Sequence, residues 1–284
     1  MRVILVPLSG EAHDRTALAA AYHVARPFRA HITGLFIRPD PVDAIGVFQG
    51  IPPEMVDRVT RAATASWNER AGLARQAFDD ARASADAALA DRPTGTNTVT
   101  AYWREVTGAG DELLAGHGRL ADLVVFAGVR AADAAELKEH FATALLNTAR
   151  PILLVPEQGV EDSPRSIAIA WNGTAEATRA LAGALPLLLN AERLHVLTAA
   201  TPRTRVESGD ALAEYLGWHG LIGEVHPMYP EEEVGTALLA RAKELGADLL
   251  VMGGYGRSRM RERIFGGVTQ HVLDHHDIPV LIAH

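Results

Sequence analysis

The feature that most constrains the fold is an internal repeat, because the second half of the sequence matches the first half segment by segment. Residues 2–10 (RVILVPLSG) and 165–173 (RSIAIAWNG) each consist of a basic residue, a short aliphatic run and a small polar residue before a glycine. An alanine-rich stretch with apolar residues at helical spacing follows in both halves. The match resumes in residues 111–128 and 236–254, where a helical pattern leads through Ala-Asp into a buried strand. Two copies of one small domain are therefore predicted.

Strands and helices alternate within each copy. The strands are continuous aliphatic runs, which is typical of a parallel sheet covered by helices on both faces and joined by right-handed crossovers. The polar residues 157–165 (EQGVEDSPR), which include Gly and Pro, mark the linker. The sequence thus predicts an α/β fold of two repeated open parallel-sheet domains, Rossmann-like, packed as a pseudo-dimer. We expect the domains to span residues 1–157 and 164–284.

The first copy carries an additional segment near residues 39–95, which leads into a long helix. This helix has one apolar stripe, formed by Val56, Val59, Ala63, Trp67, Ala71, Ala74 and Phe78. Such a stripe predicts a helix that packs across its domain. The alternative is a lid or a partner-binding element, including a homodimer contact.

Composition excludes several classes of protein. The net charge of −8 argues against a dedicated nucleic-acid binder. The chain contains no cysteine, which excludes disulfides, thiolate metal sites and cysteine catalysis. No run of about 18 apolar residues predicts a membrane span, and the N-terminal residues lack the pattern of a signal peptide. We expect a cytoplasmic protein.

Two glycine clusters surround an arginine-rich loop in residues 253–268 (GGYGRSRMRERIFGGV). The loop follows a buried strand, at the edge where open parallel sheets bind ligands. Gly253 and Gly256 allow the backbone to turn sharply and bring its N–H groups towards a ligand. Gly266 and Gly267 precede a helical stretch, whose free N–H groups and positive dipole end suit a phosphate. The alternative interpretation is a turn followed by the start of a helix.

The spacing of these glycines distinguishes between nucleotide motifs. The P-loop pattern is absent, and Gly254 to Arg259 lacks the final glycine of the dinucleotide fingerprint. The spacing Gly253-x2-Gly256-x9-Gly266 resembles instead the G-x2-G-x9-G-[ST] nucleotide motif of the universal stress protein family. The ending VTQHVLDHHDIPVLIAH is similar to that family's last helix and strand, and the two copies resemble its tandem members. The resemblance covers the chain apart from the segment near 39–95.

The resemblance implies a cofactor, ATP or another adenine nucleotide with Mg²⁺, in the C-terminal half. The residues it places at the nucleotide are Ala170, Asn172, Val196, Met252, Gly253, Gly256, Gly266, Gly267 and Val268. Val196 would wall the adenine, and Asn172 would face the base and ribose. Val268 would flank the phosphates or ribose through its backbone.

Two of these positions depart from the family pattern. Gly267 replaces a residue whose hydroxyl helps to hold phosphates, so only its N–H group remains. Asn172 replaces an aspartate with an amide, which can both donate and accept hydrogen bonds. The loop also carries four arginines, which either pair with phosphate oxygens or form a solvated face with Glu262. They are Arg257, Arg259, Arg261 and Arg263.

The first copy does not retain the motif. Gly128 matches the first motif glycine, but no second or third glycine follows, and Glu136 and Glu139 would repel a phosphate. We expect this half to be structural, with His13 and Asp14 as first-turn residues of a helix. The run from Asp274 to Asp277 offers metal-like side chains, but neighbours on a helix point in different directions. No metal ligand and no catalytic residue is predicted.

The resemblance implies a stress-responsive, regulatory protein that binds a nucleotide and hydrolyses ATP slowly at most. A nucleotide-free docking module of the same fold is the alternative from another class. The third alternative is an enzyme of the wider adenine-nucleotide superfamily. Against it, Ser9-Gly10-Glu11 lacks the second glycine and the final serine of the SGGxDS loop of related ATP pyrophosphatases.

Each copy ends in an apolar strand that opens with proline, PILLVP (151–156) and PVLIAH (279–284). In the family such edge strands pair two domains side by side. Since both partners are present in one chain, we expect the edges near Leu153 and Leu281 to pair with each other. An exposed aliphatic edge would otherwise invite aggregation.

Overall fold

The computed structural model describes residues 1–40, 53–93, 95, 97–129, 135–200, 208–254 and 267–284. The strands are β1 (Val3–Leu8), β2 (His31–Arg38), β3 (Ala88–Leu89), β4 (Thr100–Thr107), β5 (Leu123–Ala127), β6 (Ile152–Val155), β7 (Ser166–Ala170), β8 (Arg193–Ala199), β9 (Gly223–Met228), β10 (Leu249–Gly253) and β11 (Val280–Ala283). The helices are α1 (His13–Phe28), α2 (Pro53–Ser84), α3 (Gly110–Gly118), α4 (Ala135–Asn147), α5 (Ala175–Leu188), α6 (Ser208–Trp218), α7 (Val234–Glu244) and α8 (Gly267–His275).

The strands form one sheet in the order β3-β4-β2-β1-β5-β6-β11-β10-β7-β8-β9. Neighbouring strands within each half are parallel, as in the pairs β1–β2 and β7–β8. Helices cover both faces, and central strands such as β5, β6 and β11 are buried on both sides, as is usual for parallel strands covered by helices. The predicted fold class, two repeated open parallel sheets packed as a pseudo-dimer, is confirmed.

The two halves meet where β6 pairs with β11, and this pairing is antiparallel. Leu153 lies opposite Leu281, and Ile152 lies opposite Ile282. All four side chains are buried. The predicted internal pairing of the two edge strands is therefore confirmed, and it protects two aliphatic edges from solvent.

Side chains alternate between two apolar layers. In β7, Ile167 and Ile169 belong to the layer under α1, α2, α5 and α6. Ala168 belongs to the opposite layer, which packs under α3, α4, α7 and α8. This period of two follows from the pleat of a strand.

Helix α2 packs over the first half along its later turns. Ala71, Ala74 and Phe78 are buried. The Phe78 ring lies over Gly34, where an added Cβ would come within 2.7 Å of the ring. The predicted packing role is confirmed for this part. The early turns are different, because Val59 is 42% exposed.

The connection between β6 and β7 contacts both halves. The Gln158 side chain donates a hydrogen bond to the Asp277 carbonyl, and the Ser163 hydroxyl donates to the His23 carbonyl. The linker is thus attached to α1 on one side and to the turn before β11 on the other.

The antiparallel junction reverses the direction of the strands. The carboxyl ends of β1 and β5 therefore lie at one edge of the sheet, and those of β7 and β10 lie at the opposite edge. Met1 and His284 line one cavity of about 390 Å³. In the part of the chain that the structure describes, no helix is long and apolar enough to cross a membrane.

Candidate functional site

The carboxyl edge of the C-terminal half brings several of the expected nucleotide residues together. Ala170 ends β7 and lies opposite Met252 of β10. Gly253 ends β10, and α8 begins at Gly267. Met252 is buried, so it lies beneath the surface of this edge.

Part of the glycine loop lies outside the residues that the structure describes. Gly256, Gly266 and the four arginines between them lie outside the described residues. Gly267 and Val268 are described, and both are exposed at the start of α8.

Gly253 is required by the packing of β10 against α5. A Cβ at this position would lie 2.5 Å from the backbone nitrogen of Ala177 and 2.7 Å from the carbonyl carbon of Glu176. Only glycine therefore allows the strand to end against the first turn of α5. Because α8 runs back from the same edge to β11, the N-termini of α5 and α8 both lie at this edge. Two positive dipole ends there favour an anion.

Asn172 shapes the entry into α5. Its Oδ1 accepts hydrogen bonds from the backbone nitrogen of Thr174 at 3.2 Å and from the Thr174 hydroxyl at 2.8 Å. The Thr174 hydroxyl in turn caps the helix by accepting from the Ala177 nitrogen. The Asn172 Nδ2 donates to no acceptor among the described residues. The amide thus keeps a donor for a ligand while its oxygen is used in the turn.

Val196 lies in the interior rather than at the edge. Its side chain is 0% exposed in the middle of β8. Together with Leu216 it fills the space above Gly223. The structure therefore does not place Val196 on an accessible surface beside Ala170.

The corresponding edge of the N-terminal half contains a cavity of about 430 Å³ at the carboxyl ends of β1 and β5. Its charged side chains include Glu11, Glu136, Glu157 and Arg70. Arg70 is paired with Glu136 at 3.1 Å. The remaining carboxylates make this cavity acidic, which disfavours a phosphate ligand.

Ser9, His13 and Asp14 meet beside this cavity, which the sequence interpretation of His13 and Asp14 as first-turn residues did not anticipate. The Ser9 hydroxyl lies 2.9 Å from His13 Nε2 and 3.2 Å from Asp14 Oδ1. The carboxylate approaches that same Nε2, at 3.7 Å. In a nucleophilic triad the carboxylate orients the other ring nitrogen, so this arrangement is not a triad.

Asp14 holds the turn between β1 and α1. Its carboxylate accepts from the backbone nitrogens of Ser9 and Gly10, the latter at 2.8 Å. Burial raises the pKa of Asp14, and these hydrogen bonds oppose the rise. Gly128, at φ +75°, fits against the His13 side chain, which a Cβ would meet at 2.7 Å. The hydrogen bonds explain the aspartate and the packing against His13 explains the glycine, so neither residue requires a ligand.

Comparisons with known proteins agree with this fold. Residues 222–284 match the model of the Universal stress protein family. The chain is similar to the crystal structure of a universal stress protein from Archaeoglobus fulgidus DSM 4304, with a TM-score of 0.68 and 16% identity, covering 99% of this chain and 97% of that one. It is also similar to a functionally unknown protein from Pseudomonas aeruginosa PAO1, with a TM-score of 0.57 and 15% identity, covering 100% and 92% of the two chains. A search of curated proteins found no match.

The resemblance drawn from the glycine spacing and the C-terminal ending is therefore confirmed. The family match lies in the half that carries the loop. The Archaeoglobus structure extends the similarity of fold across both halves. This likeness shows the fold.

Proposed function

We propose that this protein is a cytoplasmic stress-response regulator that binds ATP or another adenine nucleotide, together with Mg²⁺, in its C-terminal half. The observation that carries the proposal is the spacing of Gly253, Gly256 and Gly266 inside the segment that matches the family model. This spacing begins at the carboxyl end of β10, where an open parallel sheet binds ligands.

The geometry of the described residues supports an anionic ligand at this edge. The N-termini of α5 and α8 both lie there, and Gly253 brings the backbone of β10 against the first of them. Phosphates would lie against these N–H groups. The Nδ2 of Asn172 would donate to the base or ribose. Val196 would lie behind the site, in the buried layer under α5 and α6, instead of contacting the base directly.

Binding rather than turnover is the proposed chemistry. The Asn172 amide is not a general base, and its oxygen already accepts two hydrogen bonds. Hydrolysis of a bound nucleotide would then be slow at most, and occupancy of the site would act as the signal.

The test is equilibrium binding of ATP with Mg²⁺ to the full chain, followed by thermal unfolding. At about 100 times the dissociation constant, the ligand should add about 2.7 kcal/mol to the free energy of unfolding. Gly256→Val should abolish binding, because the family motif has a glycine at this position and a β-branched side chain would block the approach of a phosphate. Gly267→Ser, which adds the family's hydroxyl, should tighten binding.

Gly217→Val is the matched control, since a Cβ at Gly217 of α6 would meet nothing within 4 Å. Unchanged affinity in both loop variants would mean that the loop is only a turn. A parent chain that binds no nucleotide at millimolar concentration would contradict the proposal altogether.

The alternative function is a nucleotide-free docking module. The exposed apolar side chains on the early turns of α2, Met55 and Val59, favour it. They could support a homodimer or a contact with another protein. The binding measurement above separates the two functions, because docking alone predicts no nucleotide-dependent stabilisation.

A further inference from the structure

Two histidines and a glutamate converge on the outermost strands of the C-terminal half. His195 of β8 lies directly opposite Glu224 of β9. Glu224 and His226 are two positions apart on one strand, so they project from the same face. The register of β8 and β9 therefore places all three side chains on one face of the sheet.

The distances between their ligand atoms are short. His195 Nδ1 lies 3.2 Å from His226 Nε2. The Glu224 Oε2 lies 3.9 Å from the first nitrogen and 3.7 Å from the second. Both imidazoles are buried, whereas the Glu224 side chain is 71% exposed. The cluster thus has two fixed nitrogens and one adjustable carboxylate facing solvent.

We propose that His195, Glu224 and His226 form a binding site for a first-row divalent transition-metal ion, with Zn²⁺ as the ion to test. Ligands about 2.1 Å from a tetrahedral Zn²⁺ stand roughly 3.4 Å from one another. The two nitrogens meet this spacing, and the exposed glutamate reaches it by a small rotation. Imidazole and carboxylate ligands suit zinc and its neighbours in the series. Water would complete the coordination on the open side.

His195 has the outer partner that a metal-bound histidine uses. Its other ring nitrogen, Nε2, lies 3.3 Å from the Ser166 hydroxyl. With the metal on Nδ1, the ring proton sits on Nε2 and is donated to Ser166. Such a hydrogen bond fixes the ring orientation and tautomer of a ligand.

His226 has a competing partner instead. Arg241 Nη2 lies 3.3 Å from His226 Nδ1 and can only donate, so this nitrogen accepts. Without a metal the ring proton is then on Nε2, directed at His195. A metal on Nε2 displaces that proton to Nδ1. The Nδ1–H group of His226 and the Nη2–H group of Arg241 would then face each other as two donors. Arg241 is already paired with Glu244 at 2.9 Å, and it must withdraw towards that carboxylate.

The site is separate from the candidate nucleotide site. Ser166 begins β7 and Ala170 ends it, so the partner of His195 lies at the edge opposite Ala170 and Gly253. The sequence analysis predicted no metal ligand, because His195 and His226 are far apart in the chain. Only the Glu-x-His pattern of β9 hints at ligands on one face.

The experiment is a titration of the EDTA-treated full chain with Zn²⁺ against a chromophoric chelator, repeated with Co²⁺ to record its visible spectrum. One equivalent should bind, and Co²⁺ should show the intense absorption of a four-coordinate site. Glu224→Gln, at an exposed position, should weaken binding by at least about tenfold. Arg241→Gln should tighten binding by roughly tenfold, because its amide oxygen can accept the proton on His226 Nδ1.

His275→Gln is the matched control, since His275 is an exposed histidine that stacks on His271 of α8. This change should leave the affinity unaltered. The proposal is overturned if Zn²⁺ binding is lost in His275→Gln and retained in Glu224→Gln. It is equally overturned if the parent chain binds no Zn²⁺, or if Arg241→Gln weakens binding instead of strengthening it.

Discussion

At the scale of single residues, burial sets the acid response of the histidines. Among the described residues, burial is the largest cause of a lowered pKa for His23, His31, His117, His195 and His226. A folded chain with lowered histidine pKa values binds protons less tightly than the unfolded chain. The stability from this difference is complete above the unfolded pKa near 6.5 and is lost as the pH falls towards the folded values.

His31 offers the clearest test of this response. It begins β2, its Nδ1 lies 2.9 Å from the Thr100 hydroxyl, and the charge of Arg104 adds to the effect of burial on its pKa. His31→Asn keeps a hydrogen-bonding group near Thr100 but cannot titrate. Urea unfolding between pH 7.5 and 5 should show a shallower loss of stability, by up to about 1.4 kcal/mol per pH unit.

The exposed His219 provides the control, as His219→Asn removes a histidine from the surface of the chain. Parallel pH profiles for the parent and His31→Asn would show that His31 does not contribute to acid sensitivity.

At the scale of elements, helix α2 joins a packed segment to an exposed one. Phe78 is buried over Gly34, with its ring centroid 5.9 Å from that of Trp103. Phe78→Ala should therefore lower the free energy of unfolding by about 3–5 kcal/mol. Val59→Ala, on an exposed turn of the same helix, should change it by less than about 0.5 kcal/mol. Chemical denaturation of both variants measures the difference, and a similar loss in both would mean that the early turns also pack.

The same helix shows what the sequence could predict. Its apolar stripe identified the buried face, including Ala74 and Phe78, because a period of 3.6 fixes which side chains share a face. The stripe could not show where the domain beneath it ends, so Val59 and Ala63 were expected to pack although they are exposed. Periodicity describes one helix, whereas burial depends on its neighbours.

The candidate sites show the same distinction between features that are local in the sequence and features that depend on packing. The glycine spacing is local in the chain, so the edge formed by Gly253 and Gly267 could be placed from sequence. The burial of Val196 and the meeting of His195 with His226 depend on how β8 pairs and packs with β9. That register joins distant segments, and no short motif encodes it.

At the scale of the whole molecule, the β6–β11 junction makes the two halves one sheet. Leu281 is buried and lies opposite Leu153. Leu281→Lys should destabilise the entire chain by several kcal/mol, because a lysine at this position would be an unpaired buried charge. Thermal unfolding should show a large fall in the transition temperature.

Leu189→Lys, at a leucine that is 56% exposed just after α5, is the control and should have little effect. If Leu281→Lys is as stable as the parent and only changes the state of association, β11 pairs between chains instead of within one.

The cavity shared by Met1 and His284 has a consequence for the order of the halves. A short peptide could bridge these two residues, and the chain could be opened between β6 and β7 instead. Every strand would keep its neighbours in the sheet, while the half that now comes second would be synthesised first. Circular permutation is commonly tolerated where the residues that are joined lie close together at the surface. The order of the two halves along the chain is thus a property of the covalent connection, and the pairing of the strands in the sheet does not depend on it.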